Sequence, residues 1–287
     1  MTMRFGRWLD DPQPILRLEL TRILAPLAIL GFLSSRLTHV GEWVGDSGFR
    51  LPEFHDTARH PIEVPPLSGG SATVFAVIVI ATALAVSMGF HPRKAALVLG
   101  LSVAYAALGD RLSTFTVTKI TPAIAFALAA SPCGSAYSVH SWLRRRAAPA
   151  YRAPARVAGG SVRFFQLFLC TIYGGSGIAK AQGDWLNNPL VLWTHLHDSQ
   201  QTRFSLLMAN AVPAAGWTVA QAAVLVFEAL APLWFALPRT RTTALVFAVT
   251  MHAFIGACFW PVRWFALLMI SLLLGAFLPE RVLEPNS

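Results

Sequence analysis

The chain has 287 residues, of which 55% are hydrophobic and only 13% carry a charge. An ordinary soluble domain has about 25% charged residues, so water is not the main solvent of this chain. The net charge of +9 does not indicate nucleic-acid binding, because the basic residues are mostly arginines scattered between apolar runs, without a basic-aromatic module. Arginines that collect on the inner side of a membrane explain this charge better.

Apolar segments recur along the whole chain. A bilayer core of about 30 Å needs about 20 mostly apolar residues in a helix, because lipid offers backbone amides no partners. Eight segments come near this length: 18–37, 72–90, 95–108, 112–130, 162–178, 218–237, 244–259 and 262–278. They predict an all-α, polytopic transmembrane helix bundle of about eight spans, or seven, since the third, fifth and seventh are short. Without an obvious linker, we expect a single transmembrane domain over 1–287.

The charged connections divide into two sides. With the N-terminus inside, the inner side receives Arg4, Arg7, Arg17, Arg93, Lys94, Arg144, Arg145, Arg146, Arg152, Arg156, Arg239, Arg241 and Arg281. The long loop 38–71 instead holds Glu42, Asp46, Glu53, Asp56 and Glu63, and we place it outside. Both termini are then cytoplasmic. The first segment is predicted to be an uncleaved span, because no A-x-A-like signal-peptidase site follows it.

Two further segments have a distinct composition. Residues 144–161 form a basic inner loop rich in Pro and Gly. Residues 184–215 are too polar to span, and we expect them to form outer interfacial helices anchored by tryptophans. Cys133, Cys170 and Cys258 show no CxxC spacing, so they indicate neither a zinc site nor a disulfide framework and are interpreted as packing residues.

Ionisable residues inside the apolar segments are the candidate functional residues. A charge near the centre of the bilayer costs at least about 2.5 kcal/mol, so such a residue usually faces the bundle interior or water. Glu228 lies midway along the sixth segment and His252 midway along the seventh. A Glu–His pair between neighbouring helices would satisfy both. Such a pair could be a structural hydrogen bond or could handle protons, and exposure to a cavity is the third alternative.

Two lysines also lie in or at the end of apolar segments. Lys119 precedes Pro122, whose missing amide frees a carbonyl that the lysine could reach. Lys180 ends the fifth segment after the run Tyr173-Gly-Gly-Ser-Gly177, where small residues permit close approach by a helix or a ligand. An amine withdrawn from water can lose its proton and act as a base. The alternative is a lysine that snorkels to the interface.

The segment from Tyr173 to Leu186 closely resembles the signature of the HTTM family, the membrane domain shared with vitamin K-dependent γ-carboxylase. In that signature a Tyr and several small residues precede Gly, an aliphatic residue, any residue and Lys, with Trp five positions later. Gly177, Lys180 and Trp185 reproduce this spacing without a gap. The likeness extends over the chain. Residues 131–139 are similar to the family's aromatic-Ser-aliphatic segment. Glu228 followed by Arg239 resembles the family's glutamate before a basic turn, and His252 resembles the histidine of its penultimate helix.

The resemblance implies specific roles. The essential lysine of the carboxylase falls on Lys180, where a neutral amine would start the oxygenation of a reduced, vitamin K-like quinol. Glu228 and His252 are the accompanying catalytic candidates. The candidate binding residues are Tyr173, Gly177, Asp184, Trp185 and Lys119. We also expect Lys180, Tyr173 and Trp185 to line one outer-leaflet cavity, with Glu228 and His252 deeper.

Several departures argue against true γ-glutamyl carboxylation. His140 stands where the carboxylases have Asp, and Ser135 where they have His. Thr116-Val117 stands near the place of an expected Asn-His pair. The chain continues for only nine residues past residue 278, so we do not expect the large extramembrane domain that holds a carboxylase substrate.

Three functions remain open, and the sequence does not decide whether the protein is an enzyme. The first is a membrane enzyme that uses Lys180 as a base on a quinol-like molecule. The second is a maturation or export factor for a small secreted peptide or protein, as a resemblance to bacterial sporulation-delaying proteins of the B type implies. The third is a transporter. The family's compact members and the Arg-rich inner loops favour a location in the bacterial plasma (inner) membrane. The expected partners are the lipid bilayer and either a small secreted peptide or a redox partner. Nucleic acid is not expected as a partner.

Overall fold

The computed structural model describes residues 8–48, 64–110, 114–197, 201–260 and 262–284. Some residues named above lie outside these ranges: Arg4, Arg7, Glu53, Asp56, Glu63 and the first two residues of the predicted span 112–130. The chain forms two compact units. The middle unit is Leu18–Val157, and the terminal unit combines Met1–Arg17 with Ala158–Ser287.

The middle unit contains most of the first half of the helices. They are α1 (Ile15–Thr38, whose first three residues belong to the terminal unit), α2 (Val40–Trp43), α3 (Gly69–Met88), α4 (Pro92–Gly109), α5 (Thr116–Ala130) and α6 (Val139–Ala147). The described residues also form two strands of two residues each, β1 (Gln13–Pro14) in the terminal unit and β2 (Arg156–Val157) in the middle unit. Helix α4 packs against α3 and α5. Its first residue is Pro92, a position where the missing N–H of proline costs no hydrogen bond.

A buried ion pair on α1 organises the middle unit. Glu19 and Arg22 have fully buried side chains, and Arg22 Nε donates to Glu19 Oε2 over 2.5 Å. The guanidinium also donates to the carbonyl oxygens of Val86 (2.8 Å) and Ser87 (2.5 Å) at the end of α3. A further bond of 2.8 Å reaches the carbonyl of Tyr137. Arg22 therefore joins α1 to carbonyl groups in the last turn of α3.

The carboxylate of Glu19 holds the connection between α5 and α6. Its Oε1 accepts the backbone N–H of Gly134 (2.8 Å) and of Ala136 (3.2 Å). Gly134 has φ of +80°, and a Cβ there would lie 2.3 Å from Cγ of Pro92, so only glycine fits this turn. Burial raises the pKa of the neighbouring Cys133 thiol, which therefore packs in its neutral form.

The terminal unit contains a ring of four long helices. Its helices are α7 (Gly160–Gln182), α8 (Val191–His195), α9 (Arg203–Ala211), α10 (Ala214–Ala236), α11 (Pro238–Cys258), α12 (Arg263–Phe277) and α13 (Glu280–Leu283). Helix α7 packs against α10 and α12, and α11 packs against the same two helices. Each of the four long helices thus has two neighbours, which places residues of α7, α10 and α11 within reach of one another.

The all-α fold is confirmed for the described residues, whereas the number of spans stays a prediction. Each of the eight predicted apolar segments has most of its described residues on one helix. In the part of the chain that the structure describes, three helices are long and apolar enough to cross a membrane, by length and composition: Gly69–Met88, Ala214–Ala236 and Pro238–Cys258. The apolar helices Thr116–Ala130 and Arg263–Phe277 are shorter, with 15 residues each. Helices α1 and α7 have 24 and 23 residues, but charged residues in α1, and charged, polar and glycine residues in α7, make them less apolar.

Two connections differ in detail from the sequence interpretation. In the basic loop 144–161, the three consecutive arginines Arg144–Arg146 form the last turn of α6, because a capping box of Ser138 and Ser141 starts a helix there. In segment 184–215, which the sequence predicts to lie outside, the helices α8 and α9 form as expected. Buried Leu196 and Ala209 pack with Trp217 of α10 and Cys258 of α11, so this segment covers the ends of both helices.

The Glu19–Arg22 pair gives the first prediction. Glu19→Gln should lower the free energy of unfolding by about 3–5 kcal/mol, because it leaves a fully buried guanidinium without its counter-charge. The measurement is unfolding of the purified protein in detergent, with exposed Asp46→Asn as the control. Equal stability of the two variants would mean that the pair does not hold the middle unit together.

Candidate functional site

The small residues of α7 bring its backbone into contact with α10. A Cβ added to Gly177 would lie 2.3 Å from the backbone N of Ala229 and 2.6 Å from its Cα. One turn earlier, a Cβ on Gly174 would touch Pro232 at 3.4 Å. Glycine at 177 therefore permits a helix approach that any side chain would prevent, as in the small-residue contacts of other membrane helices.

This close approach joins Lys180 to Glu228. Lys180 Nζ donates a hydrogen bond to Glu228 Oε2 on α10, and a second of 2.8 Å to Oγ of Ser176. Ser176 lies one turn before Lys180 on the same face of α7. The lysine side chain is 22% exposed and the glutamate side chain 8%. The pair thus has a buried carboxylate end and a partly open amine end.

The open end of the pair is bordered by Trp185. Lys180 Nζ lies 5.1 Å from the centroid of the indole ring, within the range of a cation–π interaction. Buried Gln221 of α10 fixes this segment by donating from Nε2 to the carbonyls of Trp185 and Asn188, both over 2.8 Å. Its Oε1 accepts the N–H of Leu192 over 3.0 Å. Gln221 therefore orients the residues after α7 around the lysine.

A second polar pair lies deeper in the terminal unit. Tyr173 Oη and His252 Nε2 are 2.7 Å apart, and the two residues are 2% and 3% exposed. Phe227 and Phe265 place their rings edge-on against Tyr173 and His252, respectively. No described residue is hydrogen-bonded to His252 Nδ1. The bond fits either neutral tautomer: with the proton on Nδ1 the tyrosine hydroxyl donates to Nε2, and with the proton on Nε2 the imidazole donates to the hydroxyl.

The structure brings the main candidates together with different partners from those expected. Glu228 bonds to Lys180, and His252 bonds to Tyr173, instead of Glu228 bonding to His252. Tyr173 and Lys180 lie on either side of the Gly177 contact along α7, so they form two polar pairs. The hydroxyl of Tyr173 is occupied by His252, which does not support the expectation that Tyr173 and Lys180 line one cavity.

The other candidates lie apart from these pairs. Lys119 is exposed in the first turn of α5, in the middle unit. It is therefore not buried against the carbonyl that Pro122 leaves without an N–H partner. Asp184 is exposed, and its carbonyl accepts the N–H groups of Asn187 (3.1 Å) and Asn188 (2.8 Å) in a turn. The binding roles of Lys119 and Asp184 stay predictions.

Two polar residues of the site were missed in the sequence. Ser176 could have been recognised from its spacing, because a residue four positions before Lys180 lies beneath it on a helix. Gln221 lies seven residues before Glu228 in the same apolar helix, so both lie on one face of α10. A glutamine within a span was a signal for a buried hydrogen-bonding role.

Long apolar helices with polar pairs between them define an integral membrane protein of the helical class. The sequence model of the HTTM domain family matches residues 12–279, and the chain belongs to this family. The resemblance drawn from the Tyr173–Leu186 signature is thereby confirmed at the level of the family. No curated protein and no solved structure matched the chain.

The helix contact gives the second prediction. Gly177→Ala should lower the free energy of unfolding by about 1–3 kcal/mol, because the added methyl group must push α10 away. Gly175→Ala is the matched control, since a Cβ there meets nothing within 4 Å. Removing an exposed helical glycine should instead stabilise the protein by about 0.5–1 kcal/mol. Thermal unfolding in detergent measures both, and equal effects of the two substitutions would contradict the contact.

Proposed function

We propose that this HTTM protein is a membrane enzyme in which the Lys180–Glu228 pair accepts a proton from a lipid-soluble, quinol-like molecule. The observation that carries the proposal is the asymmetry of the pair. The amine end is partly open beside an aromatic ring, and the carboxylate end is buried. A purely structural ion pair has no need of an open side.

The two groups act as one proton acceptor. In the ion pair the proton is on Lys180, so the lysine alone cannot be a base. In the proposed step the proton moves along the hydrogen bond to Glu228 and leaves a neutral amine. Lys180 can then take a proton at Nζ from a bound hydroxyl. The ammonium faces the open side, and the carboxyl group of Glu228 holds the proton that was transferred.

The surroundings of Lys180 fit a flat, apolar molecule that arrives from lipid. The indole face of Trp185 lies next to the amine, and Ile178 and Leu186 are 58% and 64% exposed nearby in sequence. A hydroquinone would supply an ionisable hydroxyl and two electrons for reaction with oxygen. Ser176 holds the amine in place from below through its hydroxyl. The departures at Ser135, His140 and Thr116 lead us to propose a reaction other than glutamate carboxylation.

The proposal includes the setting of the enzyme. We propose one HTTM-type transmembrane domain in the bacterial plasma membrane with both termini in the cytoplasm. Lys180 at the end of α7 would then lie toward the outer leaflet. The basic end of α6 would lie on the cytoplasmic side, as expected when arginines remain on the inner face.

The third prediction separates a base from a structural cation. Lys180→Ala and Lys180→Arg should both lower turnover of a reduced short-chain naphthoquinone by about 10²–10⁴-fold, because general-base catalysis contributes this much. Arginine keeps the ion pair but cannot give up its proton. The measurement is oxygen-dependent oxidation of the quinol, followed by absorbance with protein in lipid nanodiscs. Exposed Lys94→Ala is the control and should retain full activity.

The outcomes are distinct. Activity retained by Lys180→Arg but lost in Lys180→Ala would show that only the charge matters and would reject the base. No quinol-dependent turnover by the unaltered protein would reject the substrate class. A maturation factor would instead show a defect in the processing of a secreted peptide when Lys180 is replaced by either residue, with no quinol turnover at all.

The fourth prediction concerns orientation in the membrane. An epitope inserted after Arg146 should be protected from added protease in intact spheroplasts, and one inserted after Asp56 should be cleaved. The reason is that arginine-rich connections remain in the cytoplasm. A cytoplasmic protein serves as the control for intact cells. The same response at both positions would contradict the proposed orientation.

A further inference from the structure

The terminal unit has a cavity of about 390 Å³ at the end of α7 opposite Lys180. It lies where α7 and α11 begin and α12 ends. Its lining residues are Asp11, Gln13, Arg17, Arg163, Gln166, Pro238, Arg241, Thr242, Ala276, Phe277, Leu278, Pro279 and Glu280. Gln166 and Lys180 are separated by about 21 Å along α7 at 1.5 Å per residue, so this cavity is independent of the Lys180–Glu228 pair.

The charge of the lining favours an anion. Three arginines, Arg17, Arg163 and Arg241, face two acidic residues, Asp11 and Glu280, which gives a formal charge of +1. Arg17 and Arg163 are 6% and 9% exposed. Positive charge held at this depth interacts strongly with a ligand, because water screens it little.

Hydrogen bonds fix the inner wall of the cavity. Arg163 donates to Oδ2 of Asp11 over 2.8 Å and to Oε1 of Gln166 over 3.0 Å. The carbonyl of Ala276 accepts from Gln166 Nε2 over 2.7 Å and from Arg17 Nη1 over 3.1 Å. The two buried arginines are therefore held in place before any ligand arrives, which reduces the entropic cost of binding.

The outer wall retains hydrogen-bond donors. Arg241 donates through Nε to the carbonyl of Phe235 (3.0 Å) and through Nη2 to that of Ala236 (3.4 Å). Within the described ranges, no residue accepts a hydrogen bond from Arg241 Nη1, nor does the hydroxyl of Thr242 have a partner. The helices α7 and α11, of 23 and 21 residues, begin at this cavity. Their N-terminal ends carry partial positive charge that adds to the arginines.

We propose that this cavity binds a phosphate-bearing anion, either the headgroup of an anionic phospholipid or a soluble phosphate. The guanidinium of Arg241 matches the geometry of phosphate oxygens, and Thr242 can donate one further hydrogen bond. The cavity has a volume in the range of small-ligand sites. Basic pockets between transmembrane helices on the cytoplasmic side are typical sites for anionic headgroups, and this is the side on which the arginines place the cavity.

The experiment measures binding to the purified full chain by native mass spectrometry and by thermal unfolding. Three additions are compared: inorganic phosphate, phosphatidylglycerol in bicelles, and phosphatidylcholine in the same bicelles. We expect phosphatidylglycerol or phosphate, but not phosphatidylcholine, to bind and to raise the unfolding temperature, because a ligand that binds only the folded state stabilises it. Protection by phosphate alone identifies a soluble anion, and protection by phosphatidylglycerol alone identifies a lipid.

The variants test where the anion binds. Arg241→Gln should weaken binding by about tenfold or more, the loss expected for hydrogen bonds between charged groups. Arg239→Gln is the matched control, because Arg239 is exposed on the same turn of α11 and does not line the cavity. Thr242→Glu should abolish binding while the helix is preserved, since an acidic residue near a helix N-terminus is favourable.

Two results would overturn the proposal. One is an equal loss of binding in Arg239→Gln and Arg241→Gln, which would indicate attraction to general surface charge. The other is the absence of any difference between phosphatidylglycerol, phosphate and phosphatidylcholine in the unaltered protein. If Arg241→Gln unfolds, the Thr242→Glu variant alone decides, because binding retained in that variant contradicts the assignment.

Discussion

The contact between α7 and α10 at Gly177 is the constraint on which the candidate site depends. With any side chain at this position, the backbone of α7 could not approach Ala229 so closely. Lys180 lies less than one turn beyond this contact and Glu228 one residue before Ala229. The hydrogen bond between them therefore exists because two helices touch where one has no side chain. The Tyr173–His252 pair, on the other side of Gly177 along α7, joins the same helix to α11.

Several buried polar side chains of this protein bond to backbone carbonyls at or just after the ends of helices. Arg22 is bonded to terminal carbonyls of α3, and Gln221 to carbonyls that follow α7. Gln166 and Arg17 are bonded to a carbonyl at the end of α12. Lipid cannot satisfy these carbonyls, so the side chains that do so fix the positions of the helix ends. The polar residues of the apolar segments thus help to fix the positions of the helix ends, while apolar contacts hold the helices together.

The sequence predicted the helices well because lipid imposes a simple rule on apolar length. The apolar run at 218–237 differs from α10 by only a few residues at each end. The basic run Arg144–Arg146 was placed in a loop, because its helix depends on the Ser138–Ser141 capping box and not on hydrophobic length. The small-residue run before Lys180 correctly indicated a close helix contact. The sequence could not give the partner of Glu228, because partners depend on which helices are neighbours and on how each is rotated.

The Glu19–Arg22 pair illustrates the same limit. Glu19 and Arg22 both lie in the apolar segment 18–37, and the sequence pattern assigns neither of them a role. Their separation of three residues does predict an ion pair on a helix. Its burial, however, follows from the ends of α3 and α5, which lie far away in sequence. A charge in an apolar segment thus indicates an interior position, and only the folded chain shows what it bonds to.

The turn between α10 and α11 has a consequence for how the site could change during evolution. Leu237 alone separates Ala236 from Pro238, so it ends one helix and begins the next. Proline fixes the backbone at the start of α11, and a connection of one residue cannot absorb an inserted residue by changing its own conformation. An insertion of one residue within the first turn of α11 would rotate the rest of that helix by roughly 100°. His252 would then leave the side that meets Tyr173, so the tolerated changes in length in this hairpin are those that preserve helical phase.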